Sequence, residues 1–164
     1  MPYTCAQCGA VYLTDETCQE RLEACLALEY ENPAAYGAVH LLTVACYMLQ
    51  HNLYSRPGWL EARQMVAQAI RLGISPAQIR KAYQRSLHSG QRNWSVTQGE
   101  KLAEFDAIRW SCTIADVQLE SPERYIATVE QWAMAALEDT DWLRLKWNSG
   151  LIPADGFLSE SKAK

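Results

Sequence analysis

The cysteines and histidines are the residues whose types and spacing could do specific chemistry in this 164-residue chain, which holds six of the former and three of the latter. Cys5-Ala-Gln-Cys8-Gly9 has the form of a zinc knuckle. Two thiolates one tight turn apart can share an ion, and a glycine after the second supplies the backbone freedom the turn needs. Two free thiols, or a redox pair of the thioredoxin type, are the other readings of CxxC; the redox pair would want a βαβ setting, which is missing. Cys18, His40 and His51 are the further ligand candidates, whereas Cys25, Cys46 and Cys112 read as small buried hydrophobes. Uneven spacing of this kind is not a disulfide framework and points to metal ligands plus buried thiols.

Two predicted helices must position those donors. The stretch 36–54, YGAVHLLTVACYMLQHNLY, is apolar nearly all round and reads as a central, mostly buried helix beginning at about Ala34. Before it, a helix capped by Thr14 or Asp15 runs to about Tyr30, with Cys18, Leu22, Cys25, Leu26 and Glu29 on one stripe. The short break at Pro33 makes the two helices antiparallel neighbours. Facing positions then have numbers summing to about 65–67, so Cys18 lies within a turn of His51, while His40 falls near Cys25 and Leu26. His40 and His51 share a face but stand about 16 Å apart along the axis, whereas donors on one zinc lie within roughly 4 Å of each other. They cannot bind the same ion. The preferred set is therefore Cys5, Cys8, Cys18 and His51 around a structural zinc, a clamp worth on the order of 10 kcal/mol in small zinc domains. His40 as fourth ligand is the alternative, and it needs a different hairpin register. Otherwise His40 is a core histidine bonded to Glu29 or, more sharply, a general base oriented by Glu29.

Further along, Trp59, Ala62, Met65, Val66, Ala69 and Ile70 mark the apolar face of a helix over 59–72, ended by Gly73. Ser75 caps and Pro76 opens the next helix, to about Leu87, with Arg80, Lys81 and Arg85 on its outer face. Ala69, Gly73 and Ile79 match the spacing of a DNA-binding helix-turn-helix over 65–87, a weak signal because any tight glycine turn between helices resembles it. A polar loop over 88–94 precedes irregular chain to about 102, then an extended piece or buried loop over 108–117. Ser121 and Pro122 start a helix with Ile126, Val129, Trp132, Ala133, Ala136 and Leu137 inward; 140–147 either continues it or forms a last short helix. Residues 1–150 read as one helical metal-binding domain and 151–164 as a loosely packed tail.

Net charge is −4 but unevenly spread. Residues 1–55 hold one Lys/Arg against six Asp/Glu, 56–101 eight against two, and 102–164 six against eleven. The basic middle either packs against the acidic flanks or offers Arg80, Lys81, Arg85 and Arg92 to an anionic partner. No basic region followed by an apolar run opens the chain, so a cytoplasmic location is expected. Gln50, two histidines and three tyrosines argue against a membrane span over 36–54.

The chain resembles a family of uncharacterised small bacterial proteins, a domain of unknown function. The resemblance rests on Cys5-Ala-Gln-Cys8-Gly9, on Cys18, on the segment from His40 to His51 (HLLTVACYMLQH), on Thr113-Ile114-Ala115-Asp116-Val117, and on Trp132-Ala133. It implies that Cys5, Cys8, Cys18 and both histidines belong to one shared site, and it brings no activity or substrate. Relatives often follow the QH with proline, where this chain has Asn52.

The expectation is an all-α protein, a compact helical bundle of about five helices with an N-terminal zinc knuckle. Its expected function is non-catalytic: a zinc-stabilised cytoplasmic module that binds a macromolecule, a protein rather than nucleic acid. A small metalloenzyme or acid–base enzyme using His40 with Glu29, and a DNA-binding regulator using 65–87, are the alternatives. The oligomeric state is open.

Overall fold

The computed structural model describes residues 2–88 (86–88 by backbone alone), 99–100 and 102–147. Two short strands, β1 (Tyr3–Thr4) and β2 (Val11–Tyr12), pair antiparallel with Tyr3 opposite Tyr12. Helices follow: α1 (Cys18–Glu31), the single turn α2 (Pro33–Tyr36), α3 (His40–Gln50), α4 (Arg56–Leu72), α5 (Pro76–His88) and α6 (Pro122–Trp147). The described part is thus mostly helical, with five long helices and one tiny sheet. No helix among the described residues is long and apolar enough to cross a membrane.

Local chemistry fixes the boundaries, in three places differently from expectation. Helix α1 begins at Cys18, not near Thr14, because Thr17 and Glu20 form a reciprocal capping box. That box satisfies two orphan amide donors at once, which neither Thr14 nor Asp15 does here. The apolar stretch 36–54 is not one continuous helix either. Asn32 caps α2 with Pro33 in first position, a 3-10 turn spans Gly37–Val39, and only His40–Gln50 is regular α-helix. Helix α4 starts at Arg56, three residues before the expected 59, because Ser55 caps it by accepting from the Gly58 amide and Pro57 fits the first turn. The remaining boundaries follow the sequence signals. Gly73 ends α4 at φ +64°, Ser75 and Gln78 bond reciprocally at the start of α5, and Ser121 accepts from the Arg124 amide at the start of α6. Residues 140–147 continue α6. The 108–117 segment is a buried loop with a 3-10 turn at Ile114–Asp116; Ile108, Ile114 and Val117 are buried.

Helix α3 is the hub, touching α1, α4, α5 and α6. Around it Cys46, Leu42, Leu49, Trp59, Val66, Tyr125, Val129, Trp132 and Leu137 form the main core. Cys25 and Cys46 are fully buried within it, and desolvation pushes both thiols up, Cys25 to about 11. The charge asymmetry is partly used inside the molecule. Arg63 of α4 is buried and donates to Thr140 Oγ1 at 2.9 Å, the Leu137 carbonyl at 2.7 Å and Asp141 at 2.6 Å. Arg71 reaches the other Asp141 oxygen at 2.8 Å, and Arg56 pairs with Glu104 at 3.2 Å. Of the polar loop expected over 88–94, His88 instead closes α5, and the rest, Arg92 with it, lies outside the described residues, as does the tail over 151–164.

Candidate metal centre

Three separate elements each bring donors to one point. The β1–β2 hairpin brings Cys5 and Cys8, its turn closed by Gly9 N–H to Cys5 C=O and Cys5 N–H to Ala10 C=O, both 2.9 Å. Gly9 sits at φ +76°, a left-handed conformation that a side chain disfavours. Cys18 comes from the first residue of α1, and His51 from the residue that closes α3. Directly after His51 the chain turns sharply at Asn52, φ +53°, a value proline cannot adopt. Asn52 is held there by hydrogen bonds in both directions with the Leu102 backbone.

The donor atoms of Cys5, Cys8, Cys18 and His51 all lie within 4.8 Å of one another, and all four residues are buried. Cys8 Sγ is 3.6 Å from Cys18 Sγ, and Cys5 Sγ is 3.8 Å from His51 Nε2. The group can hold a metal ion. Neighbouring groups fix the tautomer of His51 and hydrogen-bond the Cys8–Cys18 pair. His51 Nδ1 stands 2.8 Å from the Tyr47 carbonyl, which can only accept, so Nδ1 carries a proton and Nε2 turns its lone pair to the thiols. The Tyr47 ring stacks on the imidazole at 4.0 Å and fixes its plane. Tyr12 donates its hydroxyl to Cys18 Sγ at 3.4 Å. The hydrogen bond from Cys8, with a further one from Tyr12, pulls the Cys18 thiol down against the opposing effect of burial. Cys8 moves the other way, raised by its bond to Cys18 and by burial. A metal ion would take both as thiolates and displace the proton between them.

His40 is not in this group. It lies at the far end of α3, and its Nδ1 is 2.6 Å from Glu29 Oε2. The hydrogen bond to Glu29 is as expected, but the histidine is not in the core: its side chain is 46% exposed, against 3% for Glu29. The resemblance implied both histidines in one site; the length of α3 separates them. Cys18 meets His51, as the antiparallel count expected to within a turn, and Glu29 meets His40 at the other end of the pair. Around Glu29 the structure adds partners that sequence reasoning missed. Oε1 accepts from Thr43 Oγ1 at 2.7 Å and from the Tyr125 hydroxyl at 2.6 Å. Burial and then the Glu29 bond push Tyr125 far above the ordinary phenol range. Tyr47 had a sequence signal, one turn before His51; Tyr125, at the start of α6, had none.

Arg80, Lys81 and Arg85 are exposed on α5 and take no part in the Cys/His group.

No curated protein and no solved structure matches the chain. The model of a family of unknown function, DUF5946, matches residues 3–141, a span that holds the knuckle, Cys18, both histidines of α3 and most of α6. The chain belongs to that family.

Proposed function

We propose that Cys5, Cys8, Cys18 and His51 hold one zinc ion in a closed Cys3His set, and that the protein is a non-catalytic, zinc-stabilised helical module. The observation that carries this is the spacing of the donors. Tetrahedral ligands about 2.3 Å from a zinc stand about 3.8 Å apart, and the Cys8–Cys18 and Cys5–His51 pairs are at 3.6 and 3.8 Å. Four protein donors complete the coordination, whereas a catalytic zinc keeps a position for water or substrate. Burial of all four side chains favours the closed site. Bound there, the ion supplies a crosslink between the hairpin, the first turn of α1 and the end of α3. Iron also accepts thiolates; the imidazole with three thiolates suits zinc.

A module of this kind acts by presenting a fixed surface to another macromolecule, and we assign it a protein partner in the cytoplasm. Supporting this are large side chains left in water on the hairpin of the clamp: Leu13 is 87% and Val11 58% exposed. The test is metal content of the chain purified without added metal. One equivalent of zinc is expected in the wild type, with loss in Cys18→Ser and in His51→Ala. Undiminished stoichiometric zinc in both variants overturns the ligand set.

One observation favours a second reading, acid–base chemistry at His40. Its ring faces water while a buried, triply bonded carboxylate fixes Nδ1. That arrangement orients Nε2 as a proton acceptor. Turnover that is lost in His40→Gln, with zinc content intact, would establish it.

A further inference from the structure

We propose that the outward face of α5 is a binding surface for duplex DNA, engaging the phosphate backbone through Arg80, Lys81 and Arg85. The six cations of the basic middle third that lie among the described residues divide into two groups. Those of α4 are spent internally: Arg56 on Glu104, Arg63 and Arg71 on Asp141. Those of α5 form no ion pair among the described residues, and all three are exposed. The bland account, in which opposite charges simply pack the thirds together, therefore covers α4 and stops at α5.

The rotation of α5 is fixed from beneath. Ile79 and Tyr83 are buried against Met65, with Leu41, Ala69 and Ile74 around them. At 100° per residue the three cations then fall within roughly 140° on the opposite side. Ala77, Gln78 and Gln84 share that exposed side, which holds no carboxylate and no large apolar side chain. A protein partner would look for an aromatic or aliphatic anchor on such a face. A phosphate backbone needs only cations and amide donors. At thirteen residues α5 is about 20 Å long, and a helix fits the major groove, about 12 Å wide. The turn before it also suits the purpose. Gly73 in the left-handed conformation joins α4 to α5 through Ile74 and Ser75 alone, so α4 is packed rigidly behind the exposed helix. Glu130 lines a cleft with Ser75 and Pro76 at the start of α5, which leaves the later turns, with Lys81 and Arg85, as the more favourable for phosphate.

This surface is separate from the Cys/His group, so its test does not depend on zinc. Fluorescence anisotropy of a labelled random-sequence duplex of about two helical turns is measured with the full chain from about 50 to 200 mM salt. The wild type is expected to bind with a log–log salt slope that falls by about 2.7 in the triple variant Arg80→Glu, Lys81→Glu, Arg85→Glu, at about 0.9 per lost phosphate contact. Affinity at the lowest salt is expected to drop at least about tenfold. If that variant loses its helical circular dichroism, the triple glutamine variant at the same exposed positions carries the same comparison. No binding by the wild type at about 50 mM salt, or an unchanged slope in the folded variant, overturns the proposal. Poly-glutamate displacing the duplex at equal charge concentration also overturns it, and assigns the face to an acidic protein.

Discussion

Tyr125→Phe isolates one hydrogen bond to the buried Glu29 carboxylate. The hydroxyl donates to Oε1 at 2.6 Å, and the ring is fully buried. Phenylalanine keeps the ring and its edge-on contact with Tyr36, whose centroid is 5.4 Å away, so only an oxygen is removed and little cavity is left. Glu29 stays bonded to His40 and Thr43, so the carboxylate loses one donor of three. A hydrogen bond to a charged group contributes about 1.5–3 kcal/mol. At about 2–4 °C of melting temperature per kcal/mol for a chain of this size, the midpoint should fall by about 3–12 °C. Urea unfolding followed by helical circular dichroism should show a lower midpoint at unchanged slope. Thr43 Oγ1 also lies 3.3 Å from the Tyr125 hydroxyl, so Thr43→Val should not add independently to Tyr125→Phe. A loss below about 0.5 kcal/mol, or strict additivity of the two, would refute the reasoning that this carboxylate is held as a network.

Three other perturbations follow from the same structure. Gly73→Ala should cost about 1 kcal/mol in urea unfolding, because φ is +64° while nothing lies within 4 Å of an added Cβ; the penalty is conformational, not steric. Burial alone would raise the Asp141 carboxyl, but hydrogen bonds from Arg71 and Arg63 and their charges outweigh it and hold it below the usual range. A depressed folded-state carboxyl contributes stability above its unfolded value, about 3.9, and loses it as pH falls through the lower folded value. Asp141→Asn should therefore flatten the acid limb of the stability–pH curve below about pH 4 and leave its shape near neutrality unchanged. Removing metal with a chelator at neutral pH should lower the thermal midpoint of the wild type but not that of Cys18→Ser, read by differential scanning calorimetry.

Much of this molecule is legible without coordinates, where the cause is local. The αL glycine after Leu72, the Ser-Pro starts of α5 and α6, and the apolar stripes that become Trp59–Val66 and Val129–Leu137 are each set by residues within a turn of one another. The Cys18–His51 pairing was also within reach, because two antiparallel helices with a short link leave few registers. Local competition misled the reading at α1, at α3 and at the start of α4, where Ser55 caps the helix three residues early. Thr17–Glu20 outbid Thr14 and Asp15 for the cap by satisfying two amides at once, and Gly37 with its 3-10 turn interrupted the apolar run before His40.

What only the tertiary structure decided is what surrounds each polar group. Types and spacing in the sequence nominated four donors, and folding determined that Tyr12 bonds Cys18 and that Tyr47 orients His51. It decided too that His40 faces water over a carboxylate held from α6, and that α4 spends its arginines on Glu104 and Asp141 while α5 keeps its own. The physical reason is range. Caps, turns and helical periodicity are settled by neighbours in the chain, whereas desolvation and hydrogen-bond partnership depend on groups up to 96 positions away.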